Sequence, residues 1–227
     1  MNFILDCTAS REIKDNLSKI GNVFLSTSVD IADKSVSTHP DMQIHFVSDS
    51  LAFCEPTTFD YYKKILPGHI ILKKGILKIG RTYPENCAYN IARVGGFVLC
   101  NTEYAEKSIL DYYNTHNFTI INIKQGYAKC NICPISNEKF ITEDMGIYKT
   151  TLNVSGLTGI SIKVGGVFLS GFAYGFIGGA SGITEDSVLF TGMIPENIID
   201  IIKETDRHIV SLSSGKLFDL GSIISFT

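Results

Sequence analysis

Short apolar runs recur along the chain at intervals of about 45 residues, the kind of period that marks repeated supersecondary units. They are Phe3-Ile4-Leu5, Leu51-Ala52-Phe53, Phe97-Val98-Leu99, Phe140-Ile141-Thr142 and Val188-Leu189-Phe190. After most of them the apolar positions take a helical spacing. Glu103 to Thr115 carries Tyr104, Ile109, Leu110 and Tyr113, and Pro195 to Glu204 carries Ile198, Ile199, Ile201 and Ile202, which predicts helices able to cover one face of a sheet. In the fourth stretch, Ile147 to Leu157 is short and rich in Thr, Ser and Gly, so that helix is expected to shrink to a turn.

A second strand follows each time, in Val23-Phe24-Leu25, Ile70-Ile71-Leu72, Thr119 to Ile123, Ile160-Ser161-Ile162 and Ile209 to Leu212. Then a polar or glycine-bearing segment opens a third, core-like strand, at 39–46, 83–91, 126–132, 175–182 and 217–223. The pattern predicts an α/β chain of five units, approximately 1–50, 51–96, 97–139, 140–187 and 188–227, in one domain spanning 1–227. A unit of this size cannot bury both faces of its own sheet, so neighbours must pack. A ring would gather the five third strands around a pseudo-fivefold axis, where their polar residues converge.

Composition narrows the function classes. Of 227 residues 44% are hydrophobic, enough for a full core. Twenty Lys+Arg stand against 23 Asp+Glu with no block of like charge, so neither a nucleic-acid footprint nor a lipid-binding polybasic segment is expected. The start carries no basic leader, and no run reaches the roughly 18 apolar residues a spanning helix needs. A cytoplasmic protein that does not engage the membrane is expected. The six cysteines are spread through the chain without a secretion signal, which predicts free thiols.

The repeat, together with Asp186-Ser187-Val188-Leu189-Phe190-Thr191-Gly192 and Ile141-Thr142-Glu143-Asp144-Met145-Gly146, resembles the pentein or guanidino-group modifying enzyme fold over nearly the whole chain, most closely a bacterial branch of it. The resemblance implies a five-bladed β/α propeller. Members of the fold include arginine and agmatine deiminases, dimethylarginine hydrolases and amidinotransferases, and also a non-catalytic translation factor. In the enzymes a cysteine attacks the guanidinium carbon, a histidine of an H-x-D motif moves protons and carboxylates hold the cation.

Carried over residue by residue, the resemblance makes His39-Pro40-Asp41 the H-x-D motif. Cys130 becomes the nucleophile two units later, and Asp219-Leu220-Gly221 the carboxylate segment. This frame is circularly shifted relative to the usual enzymes. In a competing register, Gly178-Gly179-Ala180-Ser181-Gly182 matches the family's glycine-rich cysteine motif, with Gly182 in place of the thiol.

The residues themselves add detail. Cys130 and Cys133 form C-x-x-C, but no further ligands stand at zinc spacing, so no metal is expected; on a strand their thiols would face opposite ways. Lys129 would steady a thiolate at Cys130 if the backbone turns there. His45, Glu85, Asn86, Lys129, Gly178 and Gly179 are the expected lining of an axial pocket for a small molecule, and the glycine run lacks the Lys-Ser/Thr ending of a phosphate loop. Two functions follow. One is a cofactor-free, cysteine-dependent amidine or guanidine hydrolase or amidinotransferase-like enzyme, with Cys130 as nucleophile, His39 as acid and base, and Asp41 and Asp219 orienting it. The alternative is a non-catalytic pentein-fold protein that binds a small ligand or a protein partner.

Overall fold

The computed structural model describes residues 1–31, 33–163 and 165–227. Five three-stranded sheets carry the chain, each built on one of the apolar runs. Their central strands are Asn2–Leu5, Leu51–Cys54, Phe97–Cys100, Lys139–Thr142 and Ser187–Phe190. Flanked on both edges, these strands are buried along nearly their whole length, which is why they read as continuous apolar runs rather than as alternation.

On one edge each central strand pairs in parallel with a strand reached through a helix. These partners are Asn22–Leu25, Ile71–Lys74, Thr119–Asn122, Thr158–Ser161 and His208–Ser211. The connecting helices, Arg11–Leu17, Phe59–Ile65, Lys107–Thr115, Met145–Thr151 and Glu196–Lys203, bury one stripe each. Ile109, Leu110 and Tyr113 pack with Val98, and Ile198 and Ile202 with Val188 and Phe190.

On the other edge the pairing is antiparallel, through Ile224–Phe226, Ile44–Ser48, Ala92–Val94, Ile132–Pro134 and Ser181–Ile183. Four of these are hairpin partners of the central strand that follows them. The strand ending each expected unit therefore joins the next sheet. The fifth, Ile224–Phe226, comes from the far end of the chain, with Phe226 opposite Asn2 and Ile224 opposite Ile4. These antiparallel strands also touch one another: Ser181–Ile183 packs against both Ile132–Pro134 and Ile224–Phe226, and Ala92–Val94 against Ile132–Pro134. Gly182 bridges Ile223 there, and a Cβ on it would lie 2.5 Å from the Ile223 carbonyl oxygen. Only glycine allows that approach.

The fourth helix corrects the expectation of a turn. Met145–Thr151 has seven residues, as many as Arg11–Leu17. The Asp144 carboxylate caps it, accepting from Gly146 N at 2.7 Å and Ile147 N at 2.9 Å, and Ile147 is buried beneath. A cap and one anchor outweigh the low propensity of the Thr-rich sequence. Asp144→Ala should cost about 1 kcal/mol, read as a lowered urea midpoint with unchanged slope. No helix among the described residues is long and apolar enough to cross a membrane.

Candidate active site

Polar residues gather where the chain enters the antiparallel strands. His39 precedes a 3-10 turn, Pro40–Met42, that opens the strand Ile44–Ser48, with the fixed φ of Pro40 at the turn's first position. Cys130 does not stand on a strand. It belongs to a short helix, Ala128–Asn131, just before the strand Ile132–Pro134. Asn90 explains the turn, because its Oδ1 accepts from Lys129 N at 2.7 Å and Cys130 N at 3.3 Å, satisfying two donors that a helix start leaves free. Asp219 follows the strand Leu217–Phe218, which pairs with Val167–Phe168. Its carboxylate accepts from Phe176 N at 2.9 Å and Gly221 N at 3.1 Å.

These elements bring together the four residues of the carried-over set. Donor atoms of His39, Asp41 and Cys130 lie within 4.8 Å of one another. Cys130 Sγ donates to Asp41 Oδ2 at 2.9 Å, and Ser222 Oγ donates to the same oxygen at 3.0 Å. His39 Nδ1 is 3.8 Å from Asp219 Oδ1, too far for a hydrogen bond. Both His39 Nδ1 and Asp41 Oδ1 are buried without a partner among the described residues. His39, Cys130 and Asp219 face a cavity of about 330 Å³, with Asn86 and an aromatic wall that includes Tyr83, Tyr127, Phe172, Tyr174 and Phe176.

The electrostatics of this floor disfavour an anion on sulfur. Burial pushes the Cys130 thiol well above its ordinary value, and the charges of Asp41 and Asp219 push it further. Burial also raises Asp219, against the pull of His39 and of the Phe176 N–H. Among the described residues no Lys or Arg side chain pairs with Asp41 or Asp219.

The remaining expected lining residues disperse. Asn86 is buried on the cavity and its Oδ1 accepts from the Tyr127 hydroxyl at 3.1 Å. Lys129 and His45 instead line a second cavity of about 270 Å³ on the other side of Cys130, together with Asp41 and Arg93. The backbone does turn at Lys129, yet the turn sends the side chain away from the first cavity. Burial lowers the Lys129 amine, opposed by the charge of Asp41. His45 meets the Tyr113 hydroxyl at 2.7 Å, and burial brings it down to about 3, so it is neutral at pH 7. Glu85 is exposed in a separate groove beside Lys78 and Tyr104.

Gly178 and Gly179 let a loop lie flat against the Cys130 turn. Gly179 N donates to Cys130 O at 2.8 Å. A Cβ at Gly178 would strike the carbonyls of Lys129 and Cys130, and one at Gly179 the Asp219 carboxylate. Gly182, on its inner strand, does not line the cavity. Two further site residues were not singled out from sequence. Asn90 also donates to Cys130 Sγ at 3.2 Å, and Ser222 links Asp41 to Gly178 O. Asn90 stands four residues after Asn86 in the same polar segment, and Ser222 three after Asp219.

Comparison with known proteins fits this architecture. The chain resembles a dimethylarginine dimethylaminohydrolase from Pseudomonas aeruginosa, solved as a mutant complexed with citrulline. The TM-score is 0.56 at 10% identity, covering 93% of this chain and 92% of that one. It resembles equally a dimethylarginine dimethylaminohydrolase adduct with 4-chloro-2-hydroxymethylpyridine, at TM-score 0.56 and 10% identity over 94% and 92%. These likenesses show a pentein-type α/β fold. None of the curated proteins matches the sequence. Residues 4–224 match a family described as "Family of unknown function (DUF6873)", and the chain belongs to that family.

Proposed function

We propose that the chain is a cysteine-dependent hydrolase or amidinotransferase-like enzyme acting on an amidine or guanidine. The observation that carries this is the meeting of Cys130, His39 and Asp41 within 4.8 Å beside an aromatic-walled cavity. Two buried carboxylates, neither paired with Lys or Arg among the described residues, favour a cationic ligand, and aromatic faces add to that preference. A planar amidinium in the first cavity would offer N–H donors to Asp219 while exposing its central carbon to Cys130 Sγ. The sulfur electron pair forms the S–C bond, and His39 protonates the departing nitrogen. In the hydrolase His39, now the base, takes a proton from water as the water oxygen bonds the carbon, and the S–C bond breaks with its electron pair returning to sulfur. The likeness to proteins named dimethylarginine dimethylaminohydrolase supports the class of reaction and not a particular substrate.

In the same proposal the five sheets are blades of a ring with a pseudo-fivefold repeat, supported by their shared strand order and touching inner strands. Free thiols at all six cysteines suit a reducing compartment such as the cytoplasm. One observation favours the non-catalytic alternative, namely that Cys130 rests as a hydrogen-bond donor to Asp41. A protein binding cations or a protein partner without turnover would keep that bond.

The test is incubation with arginine, N-methylated arginines, agmatine and simple alkylamidines, followed by mass spectrometry for a released amine or ammonia and the matching product. The expected result is turnover of at least one cationic compound. Cations that raise the melting temperature without any product would overturn the enzyme and leave the binding protein.

A further inference from the structure

The two cavities lie on either side of one pair of side chains. Cys130 lines the first, Asp41 lines the second, and the thiol donates across the partition to Asp41 Oδ2 at 2.9 Å. The other oxygen, Asp41 Oδ1, is buried and has no partner among the described residues, although Asp41 itself is only 1% exposed. A carboxylate held between a thiol and a cavity is arranged to accept a proton from one side and release it on the other. His39 makes no hydrogen bond to Cys130 among the described residues.

We propose that Asp41 takes the Cys130 proton and passes it to water in the second cavity, so that the proton leaves on the side opposite to substrate entry. The inference rests on the proposed function and deepens it. The Sγ–H bond breaks and an Oδ–H bond forms, while the electron pair left on sulfur makes the bond to the amidine carbon. Asp41 then gives its proton to a water molecule. When the S–C bond breaks, the thiolate recovers a proton by the same route. His39 is thereby left to serve the departing nitrogen and then the attacking water.

The groups facing Asp41 come from four segments. They are His39 in its own turn, Cys130 and Lys129 on the short helix, Cys87 before the third sheet, and Asp219 with Ser222 near the C terminus. Lys129 and Arg93 are the cations on the second cavity, which His45 and Asp49 also line. Asp219 is of like sign and faces the first.

The experiment uses 2-chloroacetamidine as a probe that needs no turnover, with labelling of each cysteine followed by mass spectrometry and fitted to kinact and KI. Chloride leaves as Sγ attacks, so the rate reports proton removal. Asp41→Asn should lower kinact about tenfold or more with KI within a factor of three, a larger loss than His39→Asn gives. Ser48 lines the second cavity and makes no side-chain hydrogen bond among the described residues, and Ser48→Trp should lower kinact with KI unchanged.

An Asp41→Asn protein labelled as fast as wild type overturns the proposal. So does a larger loss in His39→Asn than in Asp41→Asn, or an unchanged kinact in Ser48→Trp. If Cys130 is labelled no faster than the other five cysteines, it is the enzyme reading that fails.

Discussion

Cys130→Ser should reduce turnover of any amidine or guanidine substrate by about a thousandfold or more, the scale expected when a covalent nucleophile is lost. The hydroxyl can keep the contacts of the thiol, donating to Asp41 and accepting from Asn90, which now lie at 2.9 and 3.2 Å from Sγ. The fold should therefore survive, and the melting temperature should stay within a few degrees. Chemistry should not survive. The same burial and the same two carboxylates that oppose a thiolate oppose an alkoxide far more strongly, because the hydroxyl starts from a higher pKa. Turnover that persists in the serine protein would place the nucleophile elsewhere and remove Cys130 from the mechanism.

The second large effect is a preference of Cys130 for charged electrophiles. 2-Chloroacetamidine and 2-chloroacetamide have nearly the same shape and differ in charge. A cation about 4 Å from a carboxylate gains about 4 kcal/mol at an effective dielectric of 20. If half of that is lost to desolvation of the cation, about 2 kcal/mol remains, roughly a 30-fold preference. Labelling of Cys130 should show it, while half-exposed Cys7 should react with both reagents alike.

The pH dependence follows from the raised thiol. With the neutral reagent, the thiolate fraction at Cys130 should still climb about tenfold per pH unit beyond the ordinary thiol value near 8.5. Cys54, Cys87 and Cys100, each pushed up to about 12 by burial, should remain slow under the same conditions. The charged reagent offsets Asp41 and Asp219, so its curve should rise earlier. Equal rates for the two reagents at Cys130 would show that the cavity does not select cations.

Much of the local structure was legible because its causes are local. Each of the five apolar runs lies inside an observed central strand, and the runs around Val23, Ile71, Ile120, Ile160 and Ile209 contribute to the parallel partners. Burial on both sides writes such a strand directly into its composition. The helix after Thr142 was underrated because Thr and Gly weigh against it, while its support comes from Asp144 outside the stretch and from packing of Ile147. Which sheet each third strand joins was not legible, since antiparallel pairing joins it to residues that follow, and an apolar tripeptide carries no address for its partner.

At the site, residue types were readable and directions were not. His39, Asp41, Cys130 and Asp219 converge although up to 180 positions separate them (219 − 39). Whether Lys129 or Cys130 faces the first cavity depends on a helical turn held by Asn90, 39 and 40 positions earlier. A side chain's heading in a turn is fixed by such remote hydrogen bonds, and at Lys129 the turn leads to the second cavity rather than the first. Glu85 and Asn86 show the same limit, as neighbours in sequence whose side chains part between an exposed groove and the buried cavity.

The first sheet is knitted from both ends of the chain, Asn2–Leu5 beside Ile224–Phe226. The polypeptide thus begins and ends in adjacent strands, much as the ends of a belt meet at its buckle. Where the buckle falls is independent of how the belt is woven, because each other sheet is a local hairpin plus a helical crossover. Order along the sequence and order in space are separate properties here: Cys130 sits beside Asp41 although two central strands, Leu51–Cys54 and Phe97–Cys100, intervene between them along the chain.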